Sequence, residues 1–396
     1  TLKELDDATH GVSTVIFDSS GHSAYCNSEC LRRCKIIDGE GGVLIDKIDG
    51  GLLELDEKGY PTGYVDERVT GYLTRMGGID PDEIVDAELA ETSIRLSQEL
   101  LLSTGYTIAF EGWSNVMHPT KFYVAANGMD KNGELKIVFP MTYEVEPWQT
   151  NIEDNEVGHL AALKEVFGTK HVLPEYLKVF MDGCAETKTG AMSKPYKDGT
   201  VYKSFWSVDR LAGITKACNE RGLVVHTHVM GDVAITEATD AYIKANTQRG
   251  NSDCRNCLVH LRNVNANDFQ RFADNNISCT AGLTWHLGGA EKELGEIMDE
   301  DYVNHSYPIK SFFDVGAKVS SHSDFPANGE CPQDPFGMMH VAVTGQHPNY
   351  PELKPYDTNE LVTIEQAFQT LTINGAWQMG LENERGSIAV GKYADF

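Results

Sequence analysis

The stretch EYLKVFMDG, residues 175–183, has the pattern of a short apolar β-strand with a lysine, Lys178, near its centre. A surface strand carries a lysine at little cost. A strand that is covered on both faces does not, because an unpaired buried ammonium group is strongly penalised. The kind of sheet to which this strand belongs therefore decides both the fold and the role of Lys178.

Similar short apolar runs recur along the chain, separated by stretches with apolar residues at helical spacing. The predicted strands are residues 106–111, 135–143, 176–182, 223–230, 257–263, 277–283 and 317–324, and the helical stretches include residues 208–221, 234–246, 266–275 and 364–379. Strands that alternate with helices predict right-handed βαβ units and a parallel sheet. The succession favours an α/β fold, a (β/α)8 TIM-type barrel that lacks its first strand, over an open dinucleotide-binding sheet, because no G-x-G-x-x-G follows the first strand.

The two ends of the chain depart from this alternation. Residues 1–104 contain one strand-like run, residues 14–18, then turns and a long helix, and we interpret them as an inserted lid-like subdomain before strand two. Residues 105–380 carry barrel strands two to eight with their helices. Residues 381–396 are predicted to start a C-terminal β-sandwich segment that is otherwise largely absent.

Composition and charge limit the function classes. The chain of 396 residues is 41% hydrophobic and has a formal net charge of −26, so its surface repels phosphates and argues against nucleic acid or an anionic membrane as a partner. No apolar run reaches the length that spans a bilayer. The nine cysteines, with a single C-x-x-C at Cys254 and Cys257, are too sparse for a disulfide scaffold. We therefore expect a cytoplasmic protein, although the start without Met leaves an upstream targeting segment open.

Residue types that bind metals lie at the ends of four predicted strands. In a parallel barrel, functional groups project from the C-terminal strand ends, and residues two apart share a face. Buried charges need partners, and a divalent metal would supply one for all of these groups. The set consists of Lys178, of His228 with His226 on the same face, of His260, and of Asp324 with His322 on the same face.

Seven stretches together resemble amidohydrolase family 3 of the metal-dependent hydrolase superfamily, the branch that includes N-substituted formamide deformylases. They follow the order of the family almost from end to end. They are SSGHSAYCNSECL (residues 19–31), GYPTGYVDE (59–67), LKVFMDG (177–183), VVHTHVMGDVAI (224–235), LVHLRNV (258–264), SHSDFP (321–326) and LTINGAWQMGLENERGSIAVGKYADF (371–396).

The resemblance implies a function and a set of roles. It implies hydrolysis of a carbon–nitrogen bond, in an amide, a formamide or a cyclic amide, by a metal-activated hydroxide. The cofactor would be one or two divalent ions, most simply zinc, which His228 and His260 would bind. Lys178 would be carbamylated by CO₂ and become an anionic bridge between two metals. Asp324 would bind metal and act as the catalytic base and acid. The predicted substrate contacts are His22, His226, Trp285 and His286.

Two departures from the family pattern affect these expectations. The H-x-H of strand one, which supplies two further metal ligands, does not occur before strand two. Strand six has VHLRN, with Val259 and Arg262, where the family has a Glu-His pair followed by Gln, which affects the substrate contacts. We interpret the chain as a piece of a longer enzyme that is inactive by itself.

Two alternatives stay open. A catalytically inert barrel could bind a ligand or regulate a partner, and a deaminase or isomerase could use the same fold. Deaminases of the superfamily have H-x-x-E at strand five, whereas this chain has His228-Val-Met-Gly. As a partner we expect a small-molecule substrate, and neither nucleic acid nor a membrane. The assembly to test is a homodimer.

Overall fold

The structure is a computed structural model that describes residues 1–18, 21–78, 81–113, 120–250, 253–287, 291–325 and 334–395. Parts of three of the family-like stretches, at Ser19, Ser20, Pro326 and Phe396, lie outside these residues. None of the described helices is long and apolar enough to cross a membrane.

A small antiparallel sheet forms the N-terminal part of the molecule. Its strands are β1 (Val15–Phe17), β2 (Ser23–Cys26), β3 (Leu53–Leu55) and β4 (Pro61–Asp66), in the order β1-β2-β4-β3. Helices α1 (Leu2–Thr9), α2 (Ser28–Arg33) and α3 (Arg68–Met76) accompany this sheet, which has a hydrophobic core of its own. The sequence predicted one strand here and missed the other three. They are three to six residues long and partly exposed, too short to show a clear alternation.

A curled parallel sheet of six strands forms the larger part. The strands are β5 (Phe139–Glu144), β6 (Val172–Phe180), β7 (Val224–Val229), β8 (Cys257–His260), β9 (Ser278–Gly282) and β10 (Val319–His322), and neighbours in the chain are neighbours in the sheet. All five pairings are parallel. Six of the seven predicted barrel strands are confirmed. The first, residues 106–111, forms only isolated parallel bridges, from Ile108 to Val138 and from Glu111 to Met141.

Helices connect these strands, as the alternation predicts. Before and between the first strands lie α4 (Pro81–Ile84), α5 (Ala87–Ser103), α6 (Thr120–Lys131), α7 (Glu156–Phe167), α8 (Val208–Glu220) and α9 (Asp232–Arg249). Later come α10 (Phe269–Asp274), α11 (Glu291–Ile297), α12 (Glu300–Asn304), α13 (Ile309–Asp314) and α14 (Pro335–Thr344), then a 3₁₀ turn (Thr358–Glu360). The predicted helix over 364–379 is two helices, α15 (Ile364–Leu371) and α16 (Ile373–Gln378), because the backbone of Thr372 leaves the helical region. Residues 381–395 contain no strand.

The two faces of the large sheet differ in chemistry. Leu177, Val179 and Val225 belong to the largest hydrophobic core together with side chains of α8 and α9. Side chains alternate along a strand, so Lys178 and His226 point to the opposite face. That face, at the C-terminal ends of the strands, holds the candidate site.

Candidate functional site

Strand register places the predicted residues beside one another. Lys178 on β6 is paired with Glu144 on β5 and with His226 on β7. His228 lies two residues further along β7, opposite Phe180 of β6. His260 is the last residue of β8, and Asp324 follows the end of β10 by two residues. The parallel sheet therefore places all four predicted ligands at or near the C-terminal ends of its strands.

Four imidazole rings lie in succession across these strand ends. We call them the histidine cluster: His22, His228, His260 and His322. The ring centroids of His228 and His260 are 4.6 Å apart, and those of His260 and His322 are 4.8 Å apart. His22, from the N-terminal sheet, lies 5.8 Å from His228. Trp285 stacks flat on His260 at 5.0 Å, which covers one side of the cluster with an apolar ring.

Several ring nitrogens in this region are buried without a hydrogen-bond partner. They are Nδ1 of His226, Nδ1 of His260 and both nitrogens of His322, as far as the described residues show. Burial and the charge of Lys178 lower the pKa of His226 and of His228 well below the ordinary value. Burial also lowers the pKa of His322, to about 4. Neutral imidazoles with unpaired nitrogens are the form in which histidine binds metals.

Lys178 is a buried amine among carboxylates, with 3% of its surface exposed. Burial lowers the pKa of Lys178 to about 8, against the opposing effects of Asp324 and Glu144. Burial also raises the pKa of Glu111, which lies beside β5, to about 7. Both shifts bring the pKa of these two groups, Lys178 and Glu111, close to neutral pH.

Unusual backbone conformations coincide with the site residues. Glu67, His260 and Asp324 have φ angles of 49°, 79° and 53°, in the left-handed region that residues other than glycine seldom adopt. Such strain costs of the order of 1–3 kcal/mol per residue, and it is concentrated at functional sites in known proteins.

The donor chemistry of these side chains fits a divalent metal, because imidazole, carboxylate and carbamate groups are all ligand types that zinc accepts. The unpaired buried nitrogens point the same way. Across the described ranges, however, no three His, Cys, Asp or Glu side chains are arranged so that they could hold one ion. The ligand set therefore stays a prediction.

The remaining predicted substrate contacts lie in different places. Trp285 borders the histidine cluster, and His226 packs against Phe110 with ring centroids 4.8 Å apart. His286 is fully buried, and its backbone oxygen accepts a hydrogen bond from the amide of Tyr356. Burial lowers the pKa of His286 to about 4, against the opposing effects of Glu360 and Asp357, so His286 faces the segment after α14 rather than the cluster.

Sequence reasoning missed two buried carboxylates of this region. Glu67 follows β4, and its Oε2 lies 3.0 Å from Nδ1 of His22. Glu111 accepts hydrogen bonds from the backbone and hydroxyl of Thr142. Glu67 closes the family-like stretch GYPTGYVDE, which was a signal that could have found it, whereas nothing in the sequence around Glu111 distinguishes it.

Comparison with known proteins places the chain in a family. Residues 1–396 match the amidohydrolase family. The exoenzymes regulatory protein of Pectobacterium carotovorum is 24% identical over 81% of this chain and 66% of its own length. The N-substituted formamide deformylase of Arthrobacter pascens is 24% identical over 100% of this chain and 70% of its own length.

A solved structure shows the same fold. An uncharacterized metal-dependent hydrolase from Pyrococcus horikoshii OT3 superposes with a TM-score of 0.68 at 19% identity, over 100% of this chain and 72% of that chain. The chain thus spans about two thirds of the length of these relatives. Because the family match extends over every residue, the chain belongs to the amidohydrolase family.

Proposed function

We propose that this protein is a metal-dependent hydrolase that cleaves a carbon–nitrogen bond of a small molecule, in an amide, a formamide or a cyclic amide. The family membership and the likeness to a formamide deformylase support the proposal. The observation that carries it is the meeting of Lys178 with buried, unpaired imidazole nitrogens at one end of a parallel sheet.

The ion would be held by the predicted ligands Lys178, His228, His260 and Asp324. When bound, a divalent ion such as zinc lowers the pKa of water and polarises the carbonyl group that is to be cleaved. With a pKa of about 8, a fraction of Lys178 is a neutral amine near pH 7, and a neutral amine is the form that reacts with CO₂. The carbamate that results is an anion, which would offset the cost of a buried ammonium group.

The chain's own side chains would position the substrate and move protons. Asp324 is partly exposed at the mouth, where its carboxylate can take a proton from the attacking water and return it to the leaving amine. Trp285 and Phe180 lie on either side of the imidazole pair His228 and His260, and their rings exclude water from it. Exclusion of water strengthens the electrostatic interactions within the site.

The test combines metal analysis with turnover. The full-length protein, supplied with zinc, is assayed against a panel of N-formyl amines, N-acyl amines and cyclic amides by release of the amine. We expect at least one bound divalent ion per chain, hydrolysis that a chelator removes, and no hydrolysis by Lys178→Ala. Lys216→Ala, on the exposed side of α8, is the matched control and should keep full activity.

One outcome would refute the bridging role of Lys178, namely unchanged turnover in Lys178→Ala. A chain that binds no metal and hydrolyses no member of the panel would instead support a non-catalytic ligand-binding barrel. Two observations favour that second candidate. No three His, Cys, Asp or Glu side chains of the described residues are placed so that they could hold one metal ion, and one relative is named as a regulatory protein.

A further inference from the structure

We propose that Cys184, His22 and Glu67 form a second, metal-independent nucleophilic centre, in which the Cys184 sulfur accepts an acyl group from an activated acyl donor such as an ester or a thioester. This goes beyond the proposed metal-dependent reaction, which uses none of the cysteines. It rests on the geometry of three side chains from three separate parts of the chain.

The three side chains are connected in the order that an activated nucleophile requires. Sγ of Cys184 lies 3.1 Å from Nε2 of His22, and Nδ1 of His22 lies 3.0 Å from Oε2 of Glu67. The other carboxylate oxygen of Glu67 accepts a hydrogen bond from the hydroxyl of Thr189. A nucleophile in contact with a base, which a third group orients, is the arrangement that activates thiols and hydroxyls in enzymes.

The three residues of this centre differ in their exposure to solvent. The carboxylate of Glu67 is fully buried, 11% of the His22 side chain is exposed, and Cys184 is partly exposed. A buried carboxylate fixes the orientation and tautomer of the imidazole, whereas Cys184, as a partly exposed residue, is the end of the triad that a substrate can approach. Six other cysteines of the described ranges are buried, and Cys254 is the remaining partly exposed one.

The fold builds this arrangement from two directions. Antiparallel pairing of β2 with β4 matches Ser23 with Asp66, so His22 and Glu67 are the next pair, joined by a hydrogen bond from the Glu67 amide to the His22 carbonyl. On the barrel side, Cys184 follows β6 in a tight loop. The absence of a side chain at Gly183 makes the approach of the two parts possible, because a Cβ there would lie 2.0 Å from Oε1 of Glu67.

The reaction can be written with the atoms in balance. Burial raises the pKa of the Cys184 thiol to about 11, so the resting group is a thiol. The proton of Sγ moves to Nε2 of His22, 3.1 Å away, as the sulfur–carbon bond forms and the bond from the acyl carbon to the leaving group breaks, the leaving group departing with the bonding electron pair. Water then cleaves the thioester, and the released thiol recovers a proton.

The test uses the full chain after treatment with a chelator, so that the metal-dependent reaction does not contribute. The probes are iodoacetamide and p-nitrophenyl acetate, with the modified residue located by mass spectrometry of peptides. We expect alkylation of Cys184 ahead of Cys254, and a burst of p-nitrophenolate that accompanies acetylation of Cys184. Cys184→Ser should abolish the burst, and Cys254→Ser, the matched control, should leave it unchanged.

The dependence on His22 and Glu67 separates an activated thiol from one that is merely exposed. Loss of a general base costs roughly 100-fold in rate, so His22→Gln should slow acetylation of Cys184 by about that factor, and Glu67→Gln by less. Unchanged circular dichroism spectra would show that these variants are folded. Equal acetylation rates in the parent chain and in a folded His22→Gln variant would overturn the proposal, as would labelling of Cys254 before Cys184. Neither result depends on whether the chain hydrolyses amides.

Discussion

At the scale of single residues, the candidate site is built from groups whose charge is opposed by burial. Burial lowers the pKa of Lys178 and of the imidazoles of His226, His228, His260 and His322, and it raises the pKa of Glu111. Each of these shifts favours the neutral form of its group, and a neutral imidazole is the form that binds a metal ion. Neutral donors are what a metal ion or an incoming carbonyl group needs.

The burial of neutral His322 predicts sensitivity to acid. The pKa of His322 is about 4 in the folded chain. Between pH 6.5 and 4, this histidine therefore binds a proton in the unfolded chain and stays neutral in the folded chain. Stability is therefore lost as the pH falls through this range, by about 1–2 kcal/mol between pH 6.5 and pH 5 from this group. We expect metal-free His322→Gln to lose correspondingly less stability than the parent chain in urea denaturation at these two pH values.

The control for this prediction is His305→Gln, because the side chain of His305 is 67% exposed. Its loss between the two pH values should equal that of the parent chain. If the His322 variant also behaves like the parent chain, the ring of His322 is not held neutral by the fold.

Arg262 provides a second prediction at this scale. Its guanidinium is 1% exposed; Nη1 pairs with Glu186, whereas Nε and Nη2 are buried without a partner in the described part of the chain. Unpaired buried donors cost about 1–3 kcal/mol each. The partner carboxylate of Glu186 is 52% exposed and can be solvated by water, so Arg262→Met should raise the free energy of unfolding by about 1–3 kcal/mol.

Urea denaturation checks this, with Arg33→Met as the control, which should change stability by less than about 0.5 kcal/mol because the side chain of Arg33 is 54% exposed. Loss of stability in Arg262→Met would mean that the free edge of the guanidinium has a partner. Since Nε and Nη2 are the two donors of a bidentate edge, a carboxylate is the group that would fit.

At the scale of elements, one buried ion-pair network joins the N-terminal part to the large sheet. Arg68, the first residue of α3, donates to Glu144 at the end of β5 at 2.6 Å and to Glu146 at 2.9 Å. The side chains of both glutamates are fully buried, and that of Arg68 is 3% exposed. The guanidinium also lies over the ring of Phe180, 4.4 Å from its centroid, next to His228. The network thus fixes the N-terminal part over the strand ends.

Arg68→Ala should destabilise the chain by about 3–5 kcal/mol, because it removes the buried guanidinium that pairs with the carboxylates of Glu144 and Glu146. The loss should shrink at low pH, because burial raises the pKa of Glu146 and its protonated carboxyl group no longer needs a cationic partner. Chemical denaturation at pH 7 and pH 5 measures the two effects. Lys3→Ala, which removes the exposed Lys3–Asp7 pair, is the control and should cost less than about 0.5 kcal/mol. A loss below about 1 kcal/mol for Arg68→Ala would contradict the bridging role of the network.

The elements of the large sheet were predictable, and those of the small sheet were not. Fully covered parallel strands are continuous apolar runs such as LVVHTHVM, residues 223–230, which stand out in a sequence. The short strands β2 and β3 have exposed positions and no such run. Residues 106–111 look like a strand in sequence, yet they make only two bridges with the segment around β5, since pairing depends on the neighbour as well as on the run itself.

At the scale of the whole molecule, metal binding should couple to stability. A ligand that binds only the folded chain stabilises it by about 2.7 kcal/mol at 100 times its dissociation constant. We expect added zinc to raise the thermal midpoint of the chelator-treated chain and to raise that of His260→Ala much less. His340→Ala, at an exposed position of α14, is the control and should respond like the parent chain. An absence of any zinc-dependent shift in the parent chain would argue against a metal site in this chain.

The sequence alone determined the alternation of strands and helices, the parallel sheet, and the strand ends at which Lys178, His228, His260 and Asp324 lie. Side-chain periodicity and burial are local properties, so the order of residues along the chain encodes them. Only the tertiary structure decided that His22, Glu67 and Cys184 meet, since Cys184 lies 162 positions from His22 and in a loop that follows a strand of the other sheet. Their contact depends on the register of one sheet and on its docking against the other. Both are set by packing between distant segments, which no local pattern records.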